Sequence, residues 1–388
     1  MDVWTSKQTS GSLARQLRAS RPPTRGNTDE IRRQTHVLLP SLHSLHEDQS
    51  IATTCGPHIM TLTQLRYLIA IADSGLNITL AAERVHATQP GLSKQLKQLE
   101  EELGFTLFTR RGKSLEAITV AGAQVIERAR IIQSEAANIR ALAANLRNEA
   151  QGELRIATTH TQARYALPPA IAALRKRYPE VGVHLQPGGD AEILELLERG
   201  LTDLAVVSTA GTPPPAGLAL PIYRWDRIAL VPRGHSLTKI GRAPTLSDLS
   251  AHALVSYESS LKPESSLRRA FEDAGLPLRL AFTARDADLI RTYVGAGLGV
   301  GVLAEMALDE SDHDVVGLDL GGLLPSCTTW IVLRRDRVLR EFALEFIARL
   351  APHIDRRDVR RAFDHGIAVD EWPLAPRWRD LDRARLAA

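Results

Sequence analysis

Residues 79–104 read TLAAERVHATQPGLSKQLKQLEEELG, and their spacing decides the fold at the front of the chain. Leu92, Leu96, Leu99 and Leu103 fall at 4-3-4 intervals, the inner stripe of a helix predicted over Gln89–Leu103. Pro90 lies in its first turn, where a missing N–H costs nothing. Ala87 and Thr88 make a tight turn from a preceding short helix, capped by Thr79, that points Leu80, Ala81 and Val85 inward. Before that, a helix capped by Thr63 and ended by Gly75 carries Leu65, Leu68 and Ala72. The outer side of the third helix is divided. Gln89, Ser93, Lys94 and Lys97 crowd its first half, and Glu100, Glu101 and Glu102 its second. An acidic C-terminal end repels phosphate, so the N-terminal end is the usable one, as in a recognition helix whose first turns enter the major groove. Gln and Lys read base edges, and Thr88 and Ser93 bond phosphate or base. An ordinary solvated helix face is the competing explanation.

Residues 105–119, FTLFTRRGKSLEAIT, alternate apolar and polar around a basic turn, which predicts a β-hairpin wing. Arg110, Arg111 and Lys113 put concentrated positive charge at its tip, suited to phosphate. Thr119 then caps a long helix in which Val125, Ala129, Ile132, Ala136, Ile139, Ala143 and Leu146 recur at 4-3-4-3-4-3. That is a coiled-coil seam on a helix spanning ~40 Å. A helix lying on its own domain is the alternative and wants a wider apolar stripe.

The 388-residue chain is 44% hydrophobic and 24% charged, too apolar to be disordered throughout. No run of eighteen apolar residues is present, so no membrane partner is expected. Cys55 and Cys327 are the only cysteines, and no metal-ligand motif occurs. With a net charge of +3, nucleic-acid contact has to come from a local patch. Residues 1–59 are rich in Ser, Thr, Arg, His and Pro without a sustained period, and Val37–Leu39 is too short for a signal-peptide core. Asp29 and Glu30 speak against a transit peptide. A disordered or non-native extension is expected there, with Met60 as the natural start; a basic DNA-binding arm is the alternative.

From Glu153 the period changes. Strands are predicted at 154–157, 181–185 and 204–207, with helices at 169–178 and 192–199. After Pro213–Pro215 a second unit begins, with strands at 227–231, 254–257, 279–283 and 300–303 and helices at 265–274 and 287–295. A strand at 329–333 and a helix at 340–350 complete an α/β sensor of mixed, mostly parallel sheets. Residues 352–388 read as a short helix and a loose tail holding Trp372 and Trp378. Residues 295–301, GAGLGVG, come after a helix and enter a strand, the reverse of a dinucleotide fingerprint, so no such cofactor is expected. In ATTHTQARY, residues 157–165, a strand end feeds a helix start. Thr159, Thr161 and Gln162 add side-chain donors there, giving an anion pocket; simple capping by threonine fits the spacing equally well. His160 has no nucleophile with an acidic orienter to serve and reads as structural, so no catalytic residue is assigned.

The stretch from TLTQLRYLIA to LEAITVAG, residues 61–122, resembles the winged helix-turn-helix of LysR-type transcriptional regulators, and the likeness continues to about residue 350. The resemblance implies DNA contacts at Thr88, Gln89, Pro90, Ser93, Lys94 and Arg110, to which Lys97 and Lys113 are added on charge alone. It implies a linker helix that pairs two chains through Val125, Ala129, Ile132, Ala136 and Ile139. The expected organisation is a winged helix-turn-helix over 60–118, a coiled-coil linker over 119–149, and a two-lobed periplasmic-binding-protein-like α/β effector domain over 150–350. Lobe I takes 150–222 and 327–350, lobe II takes 223–326, and 351–388 is the tail.

IATTHTQARYALP (156–168), YRWDR (223–227) and FTARDADLIRTYV (282–294) are similar to the cysteine-regulon (CysB-like) activators of that family, which respond to sulfur signals. This implies that Thr159, Thr161, Gln162 and a hydroxyl at Ser208 bind a sulfate-like anion beside Trp225. Lys262 stands where the family has a threonine; either the anion differs or Ser259, Ser260 or Ser265 supplies the hydroxyl. The resemblance further implies a cytoplasmic homodimer or homotetramer on double-stranded promoter DNA. Its effector would be sulfate, thiosulfate, acetylserine or an adenylylsulfate-like anion, with RNA polymerase as a further partner. Regulation of sulfonate or other anion metabolism, a solute-binding protein and an α/β enzyme are the competitors.

Overall fold

The computed structural model describes residues 60–112, 114–308, 313–365 and 372–381. The extension over 1–59 and Lys113 at the wing tip lie outside the described residues.

The chain opens with α1 (Leu62–Asp73), α2 (Ile78–Arg84) and α3 (Gln89–Leu103). The first two caps lie upstream of Thr63 and Thr79. Thr61 and Gln64 bond each other reciprocally, and Asn77 Oδ1 accepts from the Leu80 amide at 3.0 Å. A cap must keep extended backbone, as Thr61 and Asn77 do, whereas Thr63 and Thr79 are already helical. Thr88, read from the sequence as part of a tight turn, is the N-cap of α3. Leu92, Leu96 and Leu99 bury themselves with Leu65, Leu68, Ile71 and Ala81, and Leu103 packs at the edge of this core.

The wing pairs β1 (Phe108–Arg111) with β2 (Ser114–Ile118) and is bulged between Thr109 and Arg110. Behind it runs α4 (Val120–Leu146), capped by Thr119. Gly122 permits the close approach, since a Cβ there would lie 2.1 Å from the Leu107 carbonyl oxygen. The seam of α4 is divided. Ala129 is 1% exposed in the head core with Ile126, and Val125 packs against them, so these two seam residues serve their own domain. The α1–α3 core needs a lid, and the small Ala129 lets α4 lie close enough to be one. Further along, Ser134, Asn138 and Asn145 bond Asp336, Val338 and Leu339 of the sensor domain. Ile132 and Ile139 stay exposed with Ile131, Leu142 and Leu146, while Ala136 is half-buried.

Lobe I is a five-stranded sheet made of β3 (Gly152–Thr158), β4 (Val181–Pro187), β5 (Leu204–Ala210), β6 (Leu218–Trp225) and β12 (Cys327–Leu333), in the order β4-β3-β5-β12-β6. Lobe II is another, made of β7 (Arg227–Pro232), β8 (Leu254–Tyr257), β9 (Leu280–Ala284), β10 (Val300–Ala304) and β11 (Val315–Asp319), in the order β11-β7-β10-β8-β9. Each sheet is half parallel and half antiparallel rather than mostly parallel, because β7 and β12 enter from the other lobe and run against their new neighbours. Two strands escaped the spacing. β6 contains Pro221, which an edge strand tolerates, and β11 is a five-residue edge strand interrupted by Gly317. β6 runs through Trp225, so the chain first changes lobe at Asp226, not before Tyr223.

The sheets are flanked by α5 (His160–Tyr165), α6 (Leu167–Arg177), α7 (Asp190–Glu198), α8 (Leu246–Ser250), α9 (Ser266–Asp273), α10 (Ala287–Gly295) and α11 (Glu341–Leu350). Residues 295–301 join α10 to β10, helix to strand. The chain past 350 is not a loose tail over its described part: α12 (Arg356–His365) comes next, and Trp378 is buried in the lobe I core. Among the described residues, no helix is long and apolar enough to cross a membrane, and no cluster of acidic, histidine or cysteine side chains could hold a metal.

Candidate functional site

On the head, Thr88, Gln89, Pro90, Lys94 and Lys97 are exposed and Ser93 is half-buried. The Thr88 hydroxyl accepts from the Gly91 amide at 3.3 Å, so it serves as a cap. Lys97 pairs with Glu101 at 3.4 Å across one helical turn. Arg110 turns back from the wing, its guanidinium donating to Glu100 Oε2 at 2.8 Å. The other Glu100 oxygen accepts from the Leu107 amide at 2.8 Å and the Phe108 amide at 3.4 Å. Glu100, 8% exposed, is therefore no part of a repelling acidic end; it ties the wing to α3. The sequence carried the signal: Glu100 lies four residues after Leu96, on the inner stripe.

In the sensor, α5 opens directly after β3 with Thr159 as its cap, the strand-to-helix step read in residues 157–165. The helix predicted from Pro169 is α6, which begins at Leu167. Ser208, Thr329 and Tyr223 lie side by side on β5, β12 and β6, because the register pairs Thr329 with both neighbours. Gln162, 1% exposed, reaches into this row. Its Nε2 donates to Ser208 Oγ at 3.3 Å, Thr329 Oγ1 at 3.4 Å and Met306 Sδ at 3.6 Å, and its Oε1 accepts from the Tyr223 hydroxyl. Trp225 Nε1 donates to Thr329 Oγ1 at 3.0 Å and to Ser208 Oγ at 3.4 Å, and the two hydroxyls lie 2.9 Å apart. Burial pushes the Tyr223 phenol far above its usual range, which keeps it a proton donor to Gln162.

The contact with lobe II comes from Thr161, whose hydroxyl donates to the Tyr257 hydroxyl at 3.4 Å; that same oxygen accepts from the Ala304 amide at 3.2 Å. A second tie lies outside it, where Tyr165 donates to Asp288 Oδ1 at 2.8 Å and Arg164 pairs with Asp288 at 2.7 Å. Between α5 and α10 a depression is lined by His160, Thr161, Arg164, Tyr165, Asp286 and Asp288. Five of the six effector residues named from the sequence, Thr159, Thr161, Gln162, Ser208 and Trp225, thus gather in one region. Lys262 is exposed and outside this hydroxyl network; its charge acts on Asp190 at the start of α7. Thr329, Tyr223, Tyr257 and Met306 were missed. Strand register brings Thr329 and Tyr223 beside Ser208, and Tyr257 and Met306 come across from the ends of β8 and β10 in lobe II.

Residues 62–123 match the family model of the bacterial regulatory helix-turn-helix protein, lysR family, and residues 147–355 match that of the LysR substrate binding domain. The chain is 39% identical over 303 residues to the HTH-type transcriptional regulator CysB of Haemophilus influenzae, covering 78% of this chain and 94% of that protein. Among solved structures, the cofactor-binding domain of the Cbl transcriptional regulator aligns with a TM-score of 0.52 at 35% identity, covering 56% of this chain and 95% of that one. Full-length CbnR, solved with its target DNA, aligns with a TM-score of 0.51 at 25% identity, covering 76% and 99%. These relatives are regulators and not enzymes, and the chain belongs to the LysR family as a DNA-binding transcriptional regulator with a helix-turn-helix head and a two-lobed LysR substrate-binding domain.

Proposed function

We propose that this regulator controls genes of sulfur assimilation and cysteine biosynthesis, and that a small anionic, sulfur-related effector held between its lobes sets its action on promoter DNA. The likeness of residues 156–168 to the cysteine-regulon activators and the identity to CysB support the sulfur assignment. One observation carries the mechanism: Thr161 and Gln162 of lobe I bond Tyr257 and Met306 on the lobe II side. An anion drawing on those donors has to replace these bonds, so occupancy and lobe orientation are linked. With only six residues, α5 offers a small dipole, and the hydroxyl and amide donors of Thr159, Thr161, Gln162 and Ser208 would do most of the holding. Sulfate, thiosulfate, an adenylylsulfate-like anion and acetylserine, the last through its carboxylate, are the candidates for a donor set without a full cation. A site that recruits Lys262 would favour a more highly charged or a different anion.

On the DNA side, Gln89, Ser93 and Lys94 would meet base edges beside Thr88 and Pro90, with Lys97, Arg110 and Lys113 on phosphate. Ile132 and Ile139, exposed on α4, would pair two chains in a dimer or tetramer and so place two heads on one duplex. Calorimetry against the four candidates, joined to gel shifts, tests the whole. Thr161→Ala is expected to lose anion binding and keep basal promoter affinity. Ser93→Ala with Arg110→Ala is expected to do the opposite. Failure of all four candidates to bind, or normal effector binding by Thr161→Ala, would refute the effector assignment.

A further inference from the structure

The segment Trp372–Leu381 lies beyond the residues matched to the substrate-binding domain, yet it is fastened to both lobes. Along β6, the Arg224 amide donates to the Pro376 carbonyl at 2.8 Å and Arg224 Nε to the Ala375 carbonyl at 3.0 Å. Trp378 is 5% exposed and sets its ring 4.9 Å from that of Tyr223, whose hydroxyl donates to Gln162. One side chain therefore separates this segment from the cleft. The next residue crosses to lobe II: Arg379 bonds the Glu305 carboxylate through Nε and Asp319 Oδ2 through Nη1 at 2.9 Å.

Glu305 is 9% exposed, and its other oxygen accepts from the Asp226 amide at 2.9 Å. Its own amide donates to the Asp226 carbonyl at 3.0 Å, and the Asp226 carboxylate accepts from the Ser326 hydroxyl. Asp226 and Ser326 stand where the chain passes between the lobes, once after β6 and once before β12. Rotation about these two points either carries the segment along or breaks the pairs of Arg379. A buried carboxylate stripped of its cation in a low-dielectric setting makes the second route costly.

We propose that Trp372–Leu381 is a strap that positions the effector site, with Trp378 holding Tyr223 against Gln162 and Arg379 fixing the lobe angle through Glu305 and Asp226. The first half rests on the proposed anion site; the second does not. Trp378 and Arg379 are positioning residues, since the groups they act through are Tyr223 and Glu305.

Hydrogen exchange on the full-length protein without ligand tests the hinge. Arg379→Gln is expected to speed exchange of the Asp226 amide about ten-fold, as when a buried carboxylate loses a charged partner, and Arg379→Lys to restore part of the protection. Unchanged exchange over residues 224–228 in Arg379→Gln would overturn the hinge role. Calorimetry with sodium sulfate is the second arm. Trp378→Leu is expected to weaken binding about ten-fold while leaving promoter affinity unchanged. Sulfate affinity equal to that of the parent protein would overturn the role of Trp378. If Trp378→Leu does not fold, the milder Trp378→Phe supplies the same comparison, since it keeps a smaller ring beside Tyr223. It is expected to weaken sulfate binding by less, and an affinity equal to that of the parent protein overturns the role. If the parent protein itself ignores sulfate, the anion assignment fails for that ligand, and the exchange result alone decides the strap.

Discussion

The reading head and the sensor cleft use polar side chains in opposite ways. On the head, the groups proposed for DNA come from one helix and one hairpin and stand mostly exposed over an apolar core. In the cleft, Gln162 and Thr329 meet across 167 residues of chain, and Ser208, Tyr223 and Trp225 complete a network in which each donor already has an acceptor. An exposed site needs only the core beneath it to be right. A buried polar site must be satisfied before any ligand arrives, so its ligand has to exchange bonds rather than fill a gap.

Substitutions can break that contrast, the largest effect first. Leu99→Ala is expected to cost the head about 3 kcal/mol of stability and with it promoter binding, while the melting of the sensor domain stays put. Scanning calorimetry checks this, and an equal fall in both transitions would show the two regions to be one cooperative unit. Thr329→Val keeps the shape and deletes the hydroxyl that accepts from Gln162 and Trp225. About 1–3 kcal/mol should be lost from the sensor in denaturant titrations, with promoter affinity unmoved; an unchanged midpoint would mean the hydroxyl row does not hold the cleft. Arg110→Ala should lower the slope of log affinity against log salt by about 1 and leave the sensor untouched. A slope equal to that of the parent protein would remove Arg110 from the phosphate contacts.

The smallest effect is a pH dependence. Burial raises the Asp190 carboxyl above its usual range, and Lys262 opposes the rise. Between the ordinary carboxylate value and the raised one, the folded chain keeps a proton that the unfolded chain has released. Stability contributed by this group therefore falls as pH rises through that interval. Thermal melts of Asp190→Asn should lack that limb; an identical profile would assign it to another group.

How much was readable divides along the same line. The 4-3-4 stripe of α3 and the helix bounds at Gln89 and Leu103 need only local spacing, and both appear where the sequence puts them. The Thr61–Gln64 capping pair and the inward Glu100 were equally local signals, passed over for the nearer Thr63 and for the run of three glutamates. The period of α4 is present, but which turns face their own domain depends on Ala129 meeting the head core, and spacing alone does not fix that. For the cleft, the family likeness named Thr159, Thr161 and Gln162 at the start of α5 and Trp225 on β6 because they sit in recognisable strings, and Ser208 as a hydroxyl at the end of the next strand. Thr329 and Tyr223 became neighbours only once β12 slotted between β5 and β6, and no periodicity states which strands adjoin. In the tail, alternating Arg and Asp looked solvated and hid Trp378, whose partner Tyr223 is 155 positions earlier.

The grip of Glu100 on the Leu107 and Phe108 amides and on Arg110 makes a caliper of the head. If α3 meets a base and the wing a phosphate, as proposed, the span between them is set by the protein and not by the duplex. Operators whose grooves do not match that opening would be penalised at base pairs no side chain touches. The same rigidity leaves Ser93 and Lys94 free to vary, so related regulators could change the word they read while keeping one gauge for the helix that carries it.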